Sequence, residues 1–260
     1  MKKMVIYLFL TAIVILMVTI IYRIEKNDLE KLLMISTYYT YADRENENIY
    51  IDFYISNRNH LLTSKSSYEQ FYLHNSDQSK TLTLNLNKII YHQKEVYLNE
   101  TYYKYSFVFD SPLLTNDFLI EDAYLNLFLV NQTSYDFYIG SISFKDVSYY
   151  DSKLLDLKSL SGKKKKDSYL SRLDQIEIEF YQLEDIIKTI SIGTEFDVNY
   201  QLNENQISID IPYDDKLLYA CPIFIEFEGG EKQLLDYFVY VKEFDSLAKS
   251  GQLIYHYALS

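Results

Sequence analysis

The chain has little of what usually staples or punctuates a fold. Among 260 residues there are one cysteine, Cys221, no tryptophan, six glycines and three prolines. A single cysteine closes no intramolecular disulfide, so the folded part is held by its core. Cys221 also lies too far downstream to be the lipidated cysteine of a lipoprotein. No glycine-rich phosphate loop and no dinucleotide fingerprint is present, and no cofactor is expected. Basic residues are scarce as well: 25 Lys and Arg stand against 37 Asp and Glu, a net charge of −12. Such a surface repels nucleic acid and other polyanions and leaves proteins, peptides, cations and neutral saccharides as partners.

Charge is missing altogether from residues 4–22, MVIYLFLTAIVILMVTIIY. As a helix rising about 1.5 Å per residue, this run approaches the roughly 30 Å hydrocarbon core of a bilayer. It is longer than the core of a secretory signal, and no small-x-small site closes it, so it reads as an uncleaved membrane anchor over residues 1–23 rather than a cleaved signal peptide. Lysines and arginine flank both ends, and the Met-Lys-Lys start favours a single-pass protein whose domain lies outside the cytoplasm. Without Lys2, Lys3 and Arg23 the remainder carries 22 basic against 37 acidic residues, a net −15. Lys-over-Arg usage with abundant Ile, Asn and Tyr fits a bacterial surface protein.

Residues 24–36 carry Leu29, Leu32 and Leu33 at helical spacing and read as a short helical stalk. Beyond them the pattern has period two. Leu82, Leu84 and Leu86 alternate with Thr81, Thr83, Asn85 and Asn87, placing three leucines on one face of a strand. The same signal recurs at 49–55, 103–109, 123–129, 135–144, 176–180, 207–211, 223–227 and 237–241. One polar face per strand predicts an antiparallel all-β fold, a β-sandwich of jelly-roll or immunoglobulin-like type. Residues 131–134 and 228–231 read as hairpin turns.

The alternation lapses over residues 151–173, which include Gly162 and four consecutive lysines at 163–166. This predicts a linker between two tandem sandwiches, 37–150 and 174–260, with one large sandwich as the alternative. The strand–turn–strand stretch 123–144 resembles in texture the jelly-roll sugar-binding modules, a resemblance without a specific motif that keeps a saccharide-binding module as an alternative.

Catalytic templates fail on this chain. Ser161/Lys164 and Ser246/Lys249 match Ser-x-x-Lys but lack the accompanying motifs of serine acyl enzymes. His60, His74, His92 and His256 show no metal-ligand spacing. Glu177/Glu179 and Glu226/Glu228 each put two carboxylates on one strand face, read as a solvated acidic face; were those strands neighbours, a Ca²⁺ ion or the lysines at 163–166 could relieve the repulsion. Glu226, Glu228 and Glu231 are the weak metal candidates, and no metal is expected. Tyrosine, at 28 residues, is the abundant binding resource. Tyr103, Tyr105, Phe107 and Phe109 share a core face, which leaves Tyr102 and Lys104 on the surface, with Tyr149 and Tyr150 as further binding candidates. The expected function is non-enzymatic: a membrane-anchored surface module acting in binding or assembly through protein contacts. The alternatives are a saccharide-binding module or a carboxylate-dependent glycoside hydrolase.

Overall fold

The computed structural model describes residues 13–18, 30–43, 48–112, 114, 116–164, 173–193, 196–211, 217–239, 244–251 and 253–259. The chain is nearly all β. A first set of strands is β1 (Glu30–Ile35), β2 (Thr37–Asp43), β3 (Asn48–Ile55), β4 (Tyr68–His74), β5 (Thr81–Tyr97), β6 (Glu100–Asp110), β7 (Phe118–Leu129) and β8 (Ser134–Asp146). A second set is β9 (Leu155–Lys164), β10 (Leu173–Leu183), β11 (Ile187–Ile192), β12 (Phe196–Asp197), β13 (Tyr200–Asn203), β14 (Gln206–Asp210), β15 (Ala220–Phe227) and β16 (Lys232–Val239). A short helix α1 (Phe244–Ser250) and the strand β17 (Ile254–Leu259) follow.

The first eight strands and β17 make one nine-stranded sheet in the order β17-β1-β3-β6-β5-β4-β7-β8-β2. Two devices fold it on itself. The 17-residue β5 serves two partners, pairing with β4 through residues 81–84 and with β6 from Asn85 onward. At Ser36 the chain passes from β1, antiparallel to β3 and β17, into β2, which runs parallel to β8. The two halves thereby face each other. Phe71 of β4 meets Phe107 and Phe109 of β6 edge-on at 5.7 and 5.1 Å, and Phe137 of β8 meets Tyr257 of β17 at 4.8 Å. Ile49, Ile51, Phe53 and Ile55 of β3 supply the same core, as alternation requires. Fully burying such a side chain stabilises the fold by about 1.5–3 kcal/mol.

The later strands make two four-stranded sheets, β13-β14-β10-β9 and β12-β11-β15-β16. Ile176, Ile178, Ile207 and Ile209 of one and Ile190, Ile192, Ile223 and Ile225 of the other share a core. That core also takes in Leu33, Ile35, Tyr54, Tyr97 and Tyr102 from the outer face of the first sheet, with Phe244 of α1 stacked on Tyr54 at 4.6 Å.

Several expectations are corrected. Glu30–Ile35 is a strand, not the end of a helical stalk: its leucines are buried on both faces, Leu32 in the first core and Leu33 in the second. Leu155–Lys164, expected in a linker, is the edge strand β9, paired along its length with β10. Leu155, Leu157 and, beyond a bulge, Leu160 pack on the second core, and Lys163 finds Glu177 across the pair. The second module does not keep its own C-terminus, because β17 returns to pair with β1. Of the expected anchor, residues 13–18 are helical, with Val14, Ile15, Leu16, Met17 and Val18 exposed. The remainder of 4–22 lies outside the described residues, among which no helix is long and apolar enough to cross a membrane.

Candidate functional site

The strands β4, β7 and β8 turn Phe71, Leu73, Leu125, Leu127, Phe137 and Ile139 into the core. The residues between them therefore face outward. Register does the rest, setting His74 opposite Tyr124 and Tyr124 opposite Tyr138. The result is a run of rings across four strands: Tyr72 to His74 at 5.6 Å, His74 to Tyr124 at 5.5 Å, Tyr124 to Tyr138 at 5.3 Å, and on to Tyr255 of β17 at 4.8 Å. Successive interplanar angles are 41°, 15°, 58° and 63°, so the rings do not share a plane. Asp136 fixes the inner part, with its Oδ1 2.9 Å from His74 Nε2 and accepting from Asn126 Nδ2 at 2.7 Å. The Oδ1 of buried Asn126 has no hydrogen-bond partner.

At the Tyr138–Tyr255 end the run opens into a groove of about 420 Å³, bordered by Glu121, Ser36 and Ser141. The groove lies where the chain switches halves. Ser36 N donates to Leu253 O at 2.8 Å, and Gly140 sits at φ +105° against the backbone of Thr37. Burial raises the Tyr138 phenol above its ordinary range, a Ser36 hydrogen bond opposes this, and Tyr255 adds to it. Tyr138 therefore remains a neutral donor at the groove wall.

The residues singled out from sequence lie elsewhere. Tyr102 is 1% exposed, buried beneath the second core, with its hydroxyl donating to Glu100 at 3.0 Å. Lys104 is half-buried, its Nζ 3.0 Å from Asp52 Oδ2. Ser106 Oγ donates to Asp52 Oδ1, and His92 Nε2 lies 2.8 Å from Ser106 Oγ. Here serine sits between aspartate and histidine, the reverse of an acyl-transfer triad, in which histidine is the middle member. Tyr149 is 78% exposed. Tyr150 packs edge-on to Phe224 at 5.0 Å beneath Lys145 and Lys232.

The carboxylate pairs occupy different sheets, and three of their four members have lysine partners. Lys163 holds Glu177, Lys158 lies 3.2 Å from Glu179, and Lys188 lies 2.6 Å from Glu226. Lys188 keeps the Glu226 carboxyl below its usual range. Glu228 and Glu231 are exposed at the β15–β16 turn. Among the described residues no group of three His, Cys, Asp or Glu side chains is placed to hold a metal.

Sequence reasoning missed Tyr72, His74, Tyr124, Tyr138 and Tyr255. The first four lie one residue out of phase with core residues, a signal present in the sequence. Their convergence depends on strand order, and that of Tyr255 on the return of β17.

No family model matches this chain, and no curated protein matches it. Among solved structures, the Bacteroides ovatus mixed-linkage glucan utilization locus SGBP-B, in complex with a mixed-linkage heptasaccharide, is 13% identical with a TM-score of 0.22; the overlap covers 79% of this chain and 42% of that one. The chain thus spans less than half of that protein's length. The D00-D0 domain of Intimin is 9% identical with a TM-score of 0.19, over 82% of this chain and 100% of that one. At these scores the overlaps carry no argument about ligand or lineage.

Proposed function

We propose that this chain is a binding protein rather than an enzyme, tethered to the cell membrane through residues 4–22, with its sheets outside the cytoplasm and engaging a protein partner. The observation that carries the reading is the ring run from Tyr72 to Tyr255, partly exposed and bordered by Asp136, Asp122 and Glu121. Tilted tyrosines, each with an apolar ring and a hydroxyl, suit the mixed apolar and polar surface of a protein interface. The tether is supported by the uncharged run and by the exposed apolar helical residues within it. The groove supports a second reading, a neutral saccharide, because hydroxyls of Ser36 and Ser141 and the Glu121 carboxylate border the Tyr138 and Tyr255 rings.

A photo-crosslinking residue at Tyr124 in intact cells tests the first reading. One discrete adduct, lost when Tyr138→Ala is added, is expected. Calorimetric binding of a neutral oligosaccharide, abolished by Tyr255→Ala and with no protein adduct formed, would replace it with the second. Protease added to intact cells should digest the sheets, and full protection would overturn the orientation.

A further inference from the structure

The end of the first module where β1 begins has a character of its own. Following the pairings, the start of β1 lies beside the end of β3 and the turn between β5 and β6; the 56–67 connection then leads to the turn between β7 and β8. These connections and the strand end beside them carry exposed apolar side chains: Leu61 at 38%, Val96 of β5 at 60%, Leu98 at 72% and Val130 at 63%. Leu98 and Asn99 form a two-residue hairpin turn at φ +49° and +64°. That conformation favours Asn and Gly, and a leucine there is disfavoured. A disfavoured, apolar, solvent-facing residue invites a functional reading.

Charge sets this rim apart too. Residues 30–31, 56–69, 93–101 and 129–134 hold four basic side chains, Lys31, Arg58, Lys65 and Lys94, and four acidic ones, Glu30, Glu69, Glu95 and Glu100, a net of zero in a chain of −12. Glu100, beside the turn, is paired with Lys31. Seven residues, 23–29, separate the uncharged run from β1. At about 3.3–3.6 Å per residue they reach no more than roughly 25 Å. The start of β1, with the β5–β6 turn beside it, is therefore held near the point where the run leaves the bilayer.

We propose that this rim docks on the membrane, with the β5–β6 hairpin tip, Val96 and Leu98, inserted as a wedge at the lipid interface. The inference rests on the tether described above. A lipid surface takes up apolar side chains that water does not favour, and the neutral rim avoids the repulsion that the acidic remainder would meet at anionic headgroups. Docking would hold the ring run at a fixed height and orientation above the bilayer.

The absence of tryptophan makes the test direct. Full-length protein carrying Leu98→Trp, Val96→Trp or, as control, Ile186→Trp on the β10–β11 turn is reconstituted into phosphatidylcholine–phosphatidylglycerol vesicles with plain or brominated acyl chains. Tryptophan emission is expected to fall at least about twofold in brominated vesicles for a tip variant and to stay unchanged for Ile186→Trp. If the protein floats with the vesicles yet both tip variants behave like Ile186→Trp, the wedge is overturned and the tether stands. If the protein does not float, tether and wedge fall together.

Discussion

Asp52 is a buried carboxylate on the outer face of β3, and Lys104 is the cation beside it. Removing the cation takes from a buried carboxylate its lysine at 3.0 Å, so Lys104→Met is expected to destabilise the fold by about 2–3 kcal/mol, somewhat less than a fully buried pair because Lys104 is partly solvated and Ser106 still donates to Asp52. Urea unfolding checks this, and Asp52→Asn combined with Lys104→Met should cost less than the two changes summed. The same face shows what period two conceals. It assigns Tyr102 and Lys104 to the side opposite Phe107, but not what covers that side; α1 and the second core do, and Tyr102 becomes interior. His60 permits a pH prediction. Its Nδ1 accepts from Leu62 N at 3.1 Å and its Nε2 lies 3.1 Å from Glu30. Burial holds its pKa below the ordinary 6.5, with Glu30 opposing. The unfolded chain therefore takes up the proton first as pH falls. The stability from the neutral ring is complete above 6.5 and is lost as pH drops through the lowered folded-state pKa. Melting temperature should fall on acidification below that value, less steeply in His60→Gln.

At the scale of elements, most strands were legible because alternation and burial agree. Leu84 is buried and Leu82 and Leu86 are half-buried on one face of β5, and the turns at 131–134 and 228–231 join the hairpins expected of them. Strands lacking clean alternation were not legible. β2 reads TYYTYAD, and its Thr37, Tyr38, Tyr39, Thr40, Tyr41 and Ala42 are all buried, since it lies between the first core and β15. Its parallel pairing with β8 needs Gly140. A Cβ there would stand 2.3 Å from Thr37 O and 2.6 Å from Thr37 N, both backbone, at a φ that L side chains rarely adopt. Gly140→Ala is therefore expected to cost about 3 kcal/mol or more, against less than about 0.5 for Tyr149→Ala. It should also reshape the groove, so that amide exchange accelerates in β2 and at Ser36 before global unfolding.

For the whole molecule, the point at issue is whether the two modules are separable. The sequence offered a boundary where alternation lapses, but the contacts that cross it are long-range and leave no periodic trace. β17 pairs with β1 from Glu30↔Leu259 to Ile35↔Ile254. Tyr38 N donates to Leu217 O at 2.7 Å, and Tyr38 O accepts from Tyr219 N at 3.2 Å. A first module ending before β9 would leave β1 as an unpaired edge and expose Leu33, Ile35, Tyr54, Tyr97 and Tyr102, an apolar surface that favours aggregation. A second module made alone would lose the face that Phe244 packs on. Two measurements separate this from tandem independent modules. Residues 24–150 expressed alone should be aggregated or lack a cooperative melt. Full-length protein in detergent, cleaved after Lys165 or Lys166, should elute from gel filtration as one particle and melt in one transition. If the cleaved halves instead separate and each keeps a sheet spectrum and its own cooperative melt, the shared core and the returning strand add little, and the chain is two modules on one anchor.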